Sequence, residues 1–194
     1  MKNLNVNNIV EAKAEYTKQL RSVLVEPIYN KVISTYGDCN SIENENNDKP
    51  VNVLIEMQKK MREIPYWNTY NIESLTRDVT KDCPYLSDLL AAVFVSNVKI
   101  LTSIRMNKTK KVQLKMPSNE NFVHTTMINV AEHVFNNPRI FKQDQVLLKN
   151  DFSNIINDSI DTTIRTLLPI QNILQNYVGG GEESDEDSSD SDAG

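Results

Sequence analysis

The sequence predicts a mainly α-helical fold: a compact multi-helix domain with at most a minor β-strand or hairpin, followed by a disordered acidic C-terminal tail. Apolar residues recur every three or four positions over most of residues 8–177, as on one face of a helix. Residues 182–194 instead hold seven acidic residues, no basic residue and a single alanine as apolar content, so they cannot form a core. We therefore divide the chain into a helical globular domain, residues 1–178, and a Gly-rich acidic tail, residues 179–194.

The first helix is predicted over residues 8–36. Asn8 and Glu11 have the spacing of a capping box, in which each side chain accepts a hydrogen bond from a free backbone N–H at the helix start. Pro27 predicts a kink, and Gly37 predicts the end, because glycine is common just beyond helix C-termini. The polar, Asn-rich residues 38–49 predict a flexible loop.

A second helix is predicted from Pro50, which suits a first helical position, to the residue before Pro65. Its inner face is predicted to consist of Val51, Leu54, Ile55, Gln58 and Met61. The turn that follows carries Tyr66 and Trp67, whose rings are predicted to fill the core. A short third helix is then predicted from the spacing of Ile72, Leu75 and Val79.

Residues 84–105 predict the central helix of the domain, because apolar side chains occupy nearly its whole circumference. Asp88, Asn97 and Lys99 interrupt that run, so it falls short of the roughly 18 uninterrupted apolar residues of a transmembrane helix. Residues 1–10 also lack the charged and apolar pattern of a secretion signal. We therefore expect an intracellular protein without membrane insertion.

The rest of the domain contains one alternating segment and three further helices. In residues 111–116 apolar residues alternate with basic or polar ones, which predicts an edge strand without an evident partner. Ser118 is predicted to cap a helix that ends at residues 136–138. After an irregular stretch at residues 139–150, a helix is predicted to end at Leu168, and Pro169 begins a last helix through Tyr177.

Familiar catalytic and cofactor patterns are missing from the sequence. Phosphate-binding loops need several glycines, and Gly37 is the one glycine before residue 179, which excludes P-loop, Rossmann and kinase-type loops. Cys39 and Cys83 are too few for a disulfide framework, so both are predicted to be free thiols. His124 and His133 lie nine residues apart, on opposite faces of one predicted helix, which disfavours a shared metal site. We predict no catalytic residue, cofactor or metal.

Charge is distributed unevenly along the chain. The whole chain carries −5, but residues 1–178 hold 19 acidic and 21 basic residues, so the domain itself carries about +2. Residues 89–119 contain no acid, and their cations form a candidate interaction patch: Lys99, Arg105, Lys108, Lys110, Lys111 and Lys115. Such a patch can contact phosphates or an acidic protein surface, and lysines that protect an edge strand from aggregation explain residues 108–115 equally well.

Four short segments of the sequence are distinctive. They are Ile64-Pro65-Tyr66-Trp67-Asn68, Cys83-Pro84-Tyr85-Leu86-Ser87-Asp88-Leu89-Leu90, the basic segment ending in Lys115-Met116-Pro117, and Asn8-Ile9-Val10-Glu11-Ala12-Lys13. With the glycine-linked acidic tail, they resemble an uncharacterised protein family of nucleocytoplasmic large DNA viruses (giant viruses). The resemblance implies a viral protein of unknown function, located in the host cytoplasm (viral factory) or in the virion. It carries over no catalytic residue.

These observations favour a non-enzymatic interaction or structural protein, and the resemblance implies a virion or assembly component. We expect a protein partner or self-association, because the helical body offers a docking surface and the strand lacks a partner. The alternative is a nucleic-acid-associated accessory protein that uses the basic segment, residues 99–115, with masking by the acidic tail. Nucleic acid is less favoured because the patch lacks interleaved aromatic residues. An enzyme of unfamiliar architecture is the least favoured of the three.

Two serines in the tail are candidate phosphorylation sites. Ser184 and Ser189 each precede an acidic residue by three positions, the spacing favoured by acid-directed kinases such as casein kinase II. Each phosphate would add about −1.5 to −2 charges and strengthen any contact with the basic segment. A tail that only increases solubility is the simpler explanation.

Overall fold

The computed structural model describes residues 6–45, 52–103 and 114–178, and within these ranges the chain is helical without a β-strand. The seven α-helices described are α1 (Val6–Glu45), α2 (Val53–Glu63), α3 (Thr69–Asp82), α4 (Leu86–Thr102), α5 (Asn119–Asn136), α6 (Gln145–Leu167) and α7 (Ile170–Val178). Two short 3₁₀ helices, Ile64–Tyr66 and Pro138–Lys142, lie between them. The predicted mainly α fold is therefore confirmed.

The longest helix, α1, has 40 residues and contains both Pro27 and Gly37. The capping box predicted at Asn8 is wrong because Asn8 lies inside the helix, and the end predicted at Gly37 is wrong because α1 continues to Glu45. Cys39, beyond the glycine, is 1% exposed, so packing of this last part of α1 against the core outweighs the weak helix propensity of glycine.

The loop predicted at residues 38–49 is therefore helical in its first part. Residues 46–49 lie outside the described residues. The kink predicted at Pro27 stays a prediction, although the proline does remove one backbone hydrogen bond from the helix.

Both α4 and α6 run antiparallel to α1. Gln19 donates to the hydroxyl of Tyr85 just before α4 (Nε2 to Oη, 3.1 Å), whereas Val10, earlier in α1, lines the same groove as Leu101 near the other end of α4. The ion pairs between α1 and α6 show that these two helices are also antiparallel, since Arg21 pairs with Asp161 and the later Glu26 pairs with the earlier Lys149. Aromatic rings extend the contact between these helices. Tyr29 of α1 meets Phe152 of α6 edge-on, and Phe141 lies against Phe152 on one side and stacks on Tyr36 of α1 on the other.

The second central helix is α5. Ser118 caps it as predicted, accepting a hydrogen bond from the Asn121 N–H at 3.1 Å, and it ends at Asn136 as predicted. Its buried face consists of Phe122, Val123, Thr126, Met127, Val130, Ala131 and Val134. Both α1 and α5 contact α2, α3, α4 and α6. The central position predicted for α4 is therefore wrong: α4 packs mainly on α1, and its Val95 and Leu101 are 38% and 39% exposed.

The region around α2 corrects two further predictions. Asn52 caps α2 by accepting from the Leu54 N–H at 3.0 Å, so the helix begins at Val53 and not at the predicted Pro50. Pro50 and Val51 lie outside the described residues. The buried face consists of Val53, Met57 and Met61. Ile55, predicted to be on that face, is 51% exposed, and Tyr66, predicted to fill the core, is 87% exposed.

The final third of the chain is more regular than predicted. Residues 139–150 were expected to be irregular, but they contain most of a 3₁₀ helix and the start of α6. Asp144 caps α6 by accepting from the N–H groups of Val146 and Leu147 at 3.0 and 3.1 Å. The last helix begins at Ile170, one residue after the predicted start at Pro169, and ends at Val178, one residue after the predicted end at Tyr177.

The predicted edge strand is contradicted where it can be compared. Leu114, Lys115 and Met116 belong to no strand, and residues 111–113 lie outside the described residues. Among the helices described, none is by itself both long and apolar enough to cross a bilayer; α3 and α4 reach that length and composition only when taken together, across a 90° bend.

Candidate docking groove

Most residues predicted for the interaction patch lie outside the described residues. Arg105, Lys108, Lys110 and Lys111 do, as do Ser184, Ser189 and the whole of residues 179–194. Lys99 is exposed in the last turn of α4, and Lys115 is exposed before α5. The predicted patch and the predicted phosphorylation sites therefore stay predictions.

The two histidines occupy opposite faces of α5, as predicted. His124 is half-buried, with Nε2 2.8 Å from the carbonyl oxygen of Ile64 and its ring stacked on Trp67. His133 is exposed near the end of the helix. His124 thus ties α5 to the turn after α2, which is a structural role. In the ranges that the structure describes, no three His, Cys, Asp or Glu side chains converge in a way that could hold a metal ion.

The two cysteines are free and buried, as predicted for free thiols. Burial raises the pKa of the Cys39 thiol, an effect that nearby Lys60 partly offsets. Burial likewise raises the pKa of the Cys83 thiol against the opposing hydrogen bonds from Tyr85. Because the thiolate is the reactive form, neither cysteine is prepared to act as a nucleophile near neutral pH.

A groove lies between α1, α4, α6 and the start of α7, with a volume of about 530 Å³. We call it the main groove because it is the larger of the two grooves compared below. Its floor contains Asn97, Ile164 and Leu168, each less than a tenth exposed. The amide nitrogen of Asn97 donates to the carbonyl oxygen of Val93 at 2.8 Å, which holds this side chain in place. The volume lies within the range of roughly 300–1,000 Å³ that is typical of ligand sites.

Exposed apolar side chains surround this groove. Val10 is 45% exposed, Leu101 is 39% exposed and Ile170 is 36% exposed, and each comes from a different helix. Single exposed apolar residues are ordinary on protein surfaces, but several around one concave site indicate a place where another apolar surface can be buried.

The groove also carries positive charge. Arg21 and Asp161 neutralise each other, since Nη2 of Arg21 donates to both carboxylate oxygens at 2.7 and 2.6 Å. Lys13 and Arg165 also line the groove, and neither forms an ion pair with any residue that the structure describes. The net charge of the lining is therefore +2, carried by two cations that are free to bind an anionic group.

A smaller groove of about 310 Å³, the side groove, lies on the other side of the crossing of α1 and α4. Its lining includes Tyr16 and Val95, which are 40% and 38% exposed, and Lys99 of the predicted patch. Lys115 lines neither groove. The side groove thus contains one cation, Lys99, whereas the main groove contains two cations without an ion-pair partner among the described residues, Lys13 and Arg165.

Residues 6–142 of the 194 match a family of unknown function, DUF5764. This chain belongs to that family. No curated protein and no solved structure matches the chain. The family assignment confirms the predicted membership of an uncharacterised family.

The matched region ends at Lys142, so α6 and α7 lie beyond it. The groove is consequently built from two parts of the chain: α1 and α4 within the matched region, and α6 and α7 after it. Its cations, Lys13 and Arg165, come one from each part. Sequence reasoning missed this site because two isolated basic residues so far apart give no local motif.

Proposed function

We propose that this protein is a non-enzymatic interaction protein whose main groove binds a segment of a partner protein. The observation that carries the proposal is the combination of an apolar rim, contributed by Val10, Leu101 and Ile170, with two unpaired cations, Lys13 and Arg165. Charge complementarity defines the occupant as a protein segment that presents both apolar side chains and carboxylates.

The chemistry of the groove favours binding over catalysis. A nucleophile needs an adjacent base, or a lowered pKa, and a third group that orients it. The carboxylate of Asp161 is engaged by Arg21, and the hydroxyl of Thr17 donates to the carbonyl oxygen of Lys13 at 2.8 Å. The histidines and cysteines described above are not among the residues that line this groove.

The groove proposal can be tested by site-specific photo-crosslinking. A photoreactive amino acid is placed at Leu101 or Ile170 of the full chain and, as the control, at Ile55, an apolar residue of α2 that is more exposed than either. We expect a discrete crosslinked protein from both groove positions and not from Ile55.

Binding of the identified protein is then measured with purified components. Ile170→Glu should weaken it at least about tenfold, because the new carboxylate replaces an apolar contact at the rim and repels the carboxylates of the partner, whereas Ile55→Glu should change it less than about twofold. Equal crosslinking from all three positions, or equal affinities of the two variants, would contradict the proposal. A crosslink to nucleic acid, with affinity that falls steeply with salt, would instead support the nucleic-acid alternative.

The resemblance to a family of large DNA viruses extends the proposal to the biological setting. We propose that the protein is a virion or assembly component that acts in the host cytoplasm (viral factory) or in the particle. The resemblance at residues 64–68 and 83–90 supports this role. Antibody detection in purified particles, compared with infected-cell lysate, is the test, and absence from both the particles and their assembly intermediates would contradict it.

A further inference from the structure

The acidic residues that follow α7 are close enough along the chain to reach the main groove. Residues 182–192 contain seven acids and no base, and three glycines, Gly179, Gly180 and Gly181, join them to the end of α7 at Val178. The main groove, bordered by Ile170 at the start of that same helix, presents Lys13 and Arg165 without ion-pair partners among the described residues. We propose that residues 182–192 bind these two cations and thereby compete with the partner for the groove.

Geometry permits this contact within one molecule. Eight residues of helix separate Ile170 from Val178, which corresponds to about 12 Å at 1.5 Å per residue. An extended chain covers up to about 3.5 Å per residue, so Glu182 reaches about 14 Å from Val178 and Asp187 reaches about 32 Å. The chain can therefore return along α7 to the groove and place several carboxylates there.

Composition limits the strength of the contact. Residues 182–192 contain no apolar side chain, so they can engage the cations but cannot fill the apolar floor formed by Ile164 and Leu168. Exposed ion pairs contribute little and are screened by salt. A partner with both apolar side chains and carboxylates would therefore displace the acidic segment, which makes this segment a competitor that adjusts affinity without blocking the site. This competitive role rests on the proposed function, whereas the contact itself does not.

The contact can be measured without any partner. A nitroxide spin label is attached to the full chain through Ser188→Cys, since the native Cys39 and Cys83 are buried. We expect line broadening of the backbone amides of Lys13, Ala14 and Arg165 in low salt, and loss of that broadening at about 0.5 M NaCl, where the Debye length is far below 10 Å. Replacing both cations, Lys13→Gln with Arg165→Gln, should abolish it.

The matched control uses two exposed cations elsewhere, Arg139 and Lys142, which also form no ion pair among the described residues. Their joint replacement by Gln should leave broadening at the groove unchanged. Absence of broadening at the groove, or equal broadening around Arg139 and Lys142, overturns the proposal, because either result means that the acidic residues do not select this site.

Competition is measured with the partner identified by crosslinking. Replacing the seven acids by Asn and Gln should tighten partner binding about two- to fivefold in low salt and leave it unchanged in high salt, as expected for exposed charge pairs. If the spin label broadens the amide signals of the groove residues but the partner binds elsewhere, the contact is confirmed and the proposed function is wrong. If the partner binds the groove but no broadening occurs there, the proposed function stands and this inference fails.

Discussion

The buried face of α5 and the main groove are both formed against α6, but one is closed and the other open. At α5, Phe122 meets Phe94 of α4 edge-on with ring centroids 6.2 Å apart, and both are fully buried. At the groove, Leu101 and Ile170 remain more than a third exposed beside about 530 Å³ of unfilled space. Apolar residues are thus used for stability in the first region and are left available for binding in the second.

Polar groups show the same difference. Beside α5, the hydroxyl of Thr163 accepts from Thr126 at 3.2 Å and from Asn129 at 2.9 Å, and it donates to the carbonyl oxygen of Ser159 at 2.8 Å. At the groove, Lys13 and Arg165 have no ion-pair partner within the described part of the chain. Substitutions should therefore affect stability at α5 and affect recognition at the groove.

The largest difference is expected from truncating one apolar side chain in each region. Phe122→Ala should lower the free energy of unfolding by about 3–5 kcal/mol, because it leaves a cavity that the surrounding helices cannot fill. Leu101→Ala should lower it by roughly 1 kcal/mol or less, since its side chain is already partly in water. Urea denaturation followed by circular dichroism measures both, and similar losses would contradict the comparison.

The hydrogen bonds of Thr163 provide the next largest effect. Thr163→Val should cost about 1–3 kcal/mol of stability, because it leaves the amide of Asn129 and the hydroxyl of Thr126 with one partner fewer in a buried setting. Thr162→Val is the matched control: among the described residues, the exposed hydroxyl of Thr162 donates to the carbonyl oxygen of Asp158 in its own helix and to no other group. A change for Thr162→Val as large as that for Thr163→Val would show that the buried hydrogen bonds are unimportant.

Helix α1 lines the main groove and packs on α2, α3, α4 and α6, the helices that also contact α5, and Gly37 tests its continuity. Apart from the neighbouring turns of α1 itself, a Cβ atom at Gly37 would meet no atom of the described residues within 4 Å, so Gly37→Ala should increase the free energy of unfolding by about 0.5–1 kcal/mol. The gain arises because alanine restricts the unfolded chain and favours helix. Thermal unfolding provides the measurement, and a loss of stability would mean that α1 does not continue through this position.

The smallest effect on stability is expected from changes to cysteine residues. The reactivity of their thiols also tests directly whether the interior excludes solvent and the groove admits it. Ala14→Cys places a thiol at the open groove, where an aromatic disulfide reagent should modify it far faster than the buried Cys39 and Cys83. Burial raises the pKa values of both native thiols. Their contribution to stability is therefore fully present below the ordinary value of 9.0 and is lost as pH rises through the higher folded values.

Two measurements check this last expectation. Reagent counts at neutral pH should show one fast thiol in the Ala14→Cys protein and none in the unmodified chain. Unfolding between pH 8 and pH 10 should show a shallower loss of stability in a Cys39→Ala, Cys83→Ala variant than in the unmodified chain. Rapid modification of the native thiols would mean that the interior is not closed.

Local signals predicted some elements and failed at others for identifiable reasons. Ser118 was identified as the cap of α5 because cap chemistry acts within one helical turn, and the buried stripe of α5 followed from its spacing. Gly37 led to a wrong prediction of the end of α1, because packing of the following residues against the core outweighs the local tendency of glycine to end a helix. Asp144 carried an equally local cap signal, an acidic residue directly before an apolar helix, but it was not recognised.

The groove could not be predicted by the same reasoning. It depends on the antiparallel placement of α1 beside both α4 and α6, and the sequence does not reveal helix orientation. It also depends on which apolar residues stay exposed, and Leu101 follows the same helical spacing as the buried Leu90 and Phe94. Spacing indicates a face of a helix but does not indicate whether a neighbour covers it.

The ion pair between Arg21 and Asp161 joins residues that are 140 positions apart in the chain. At a synthesis rate of about 5–20 residues per second, Arg21 is made roughly 7–28 seconds before Asp161, so α1 waits about that long for α6. During that interval α1, whose Leu20, Leu24 and Ile28 are fully buried in the finished fold, lacks one of the helices that pack against it. Ribosome-associated chaperones should therefore bind α1 until α6 has been made, and a chain truncated before Asp144 should be a strong substrate for them.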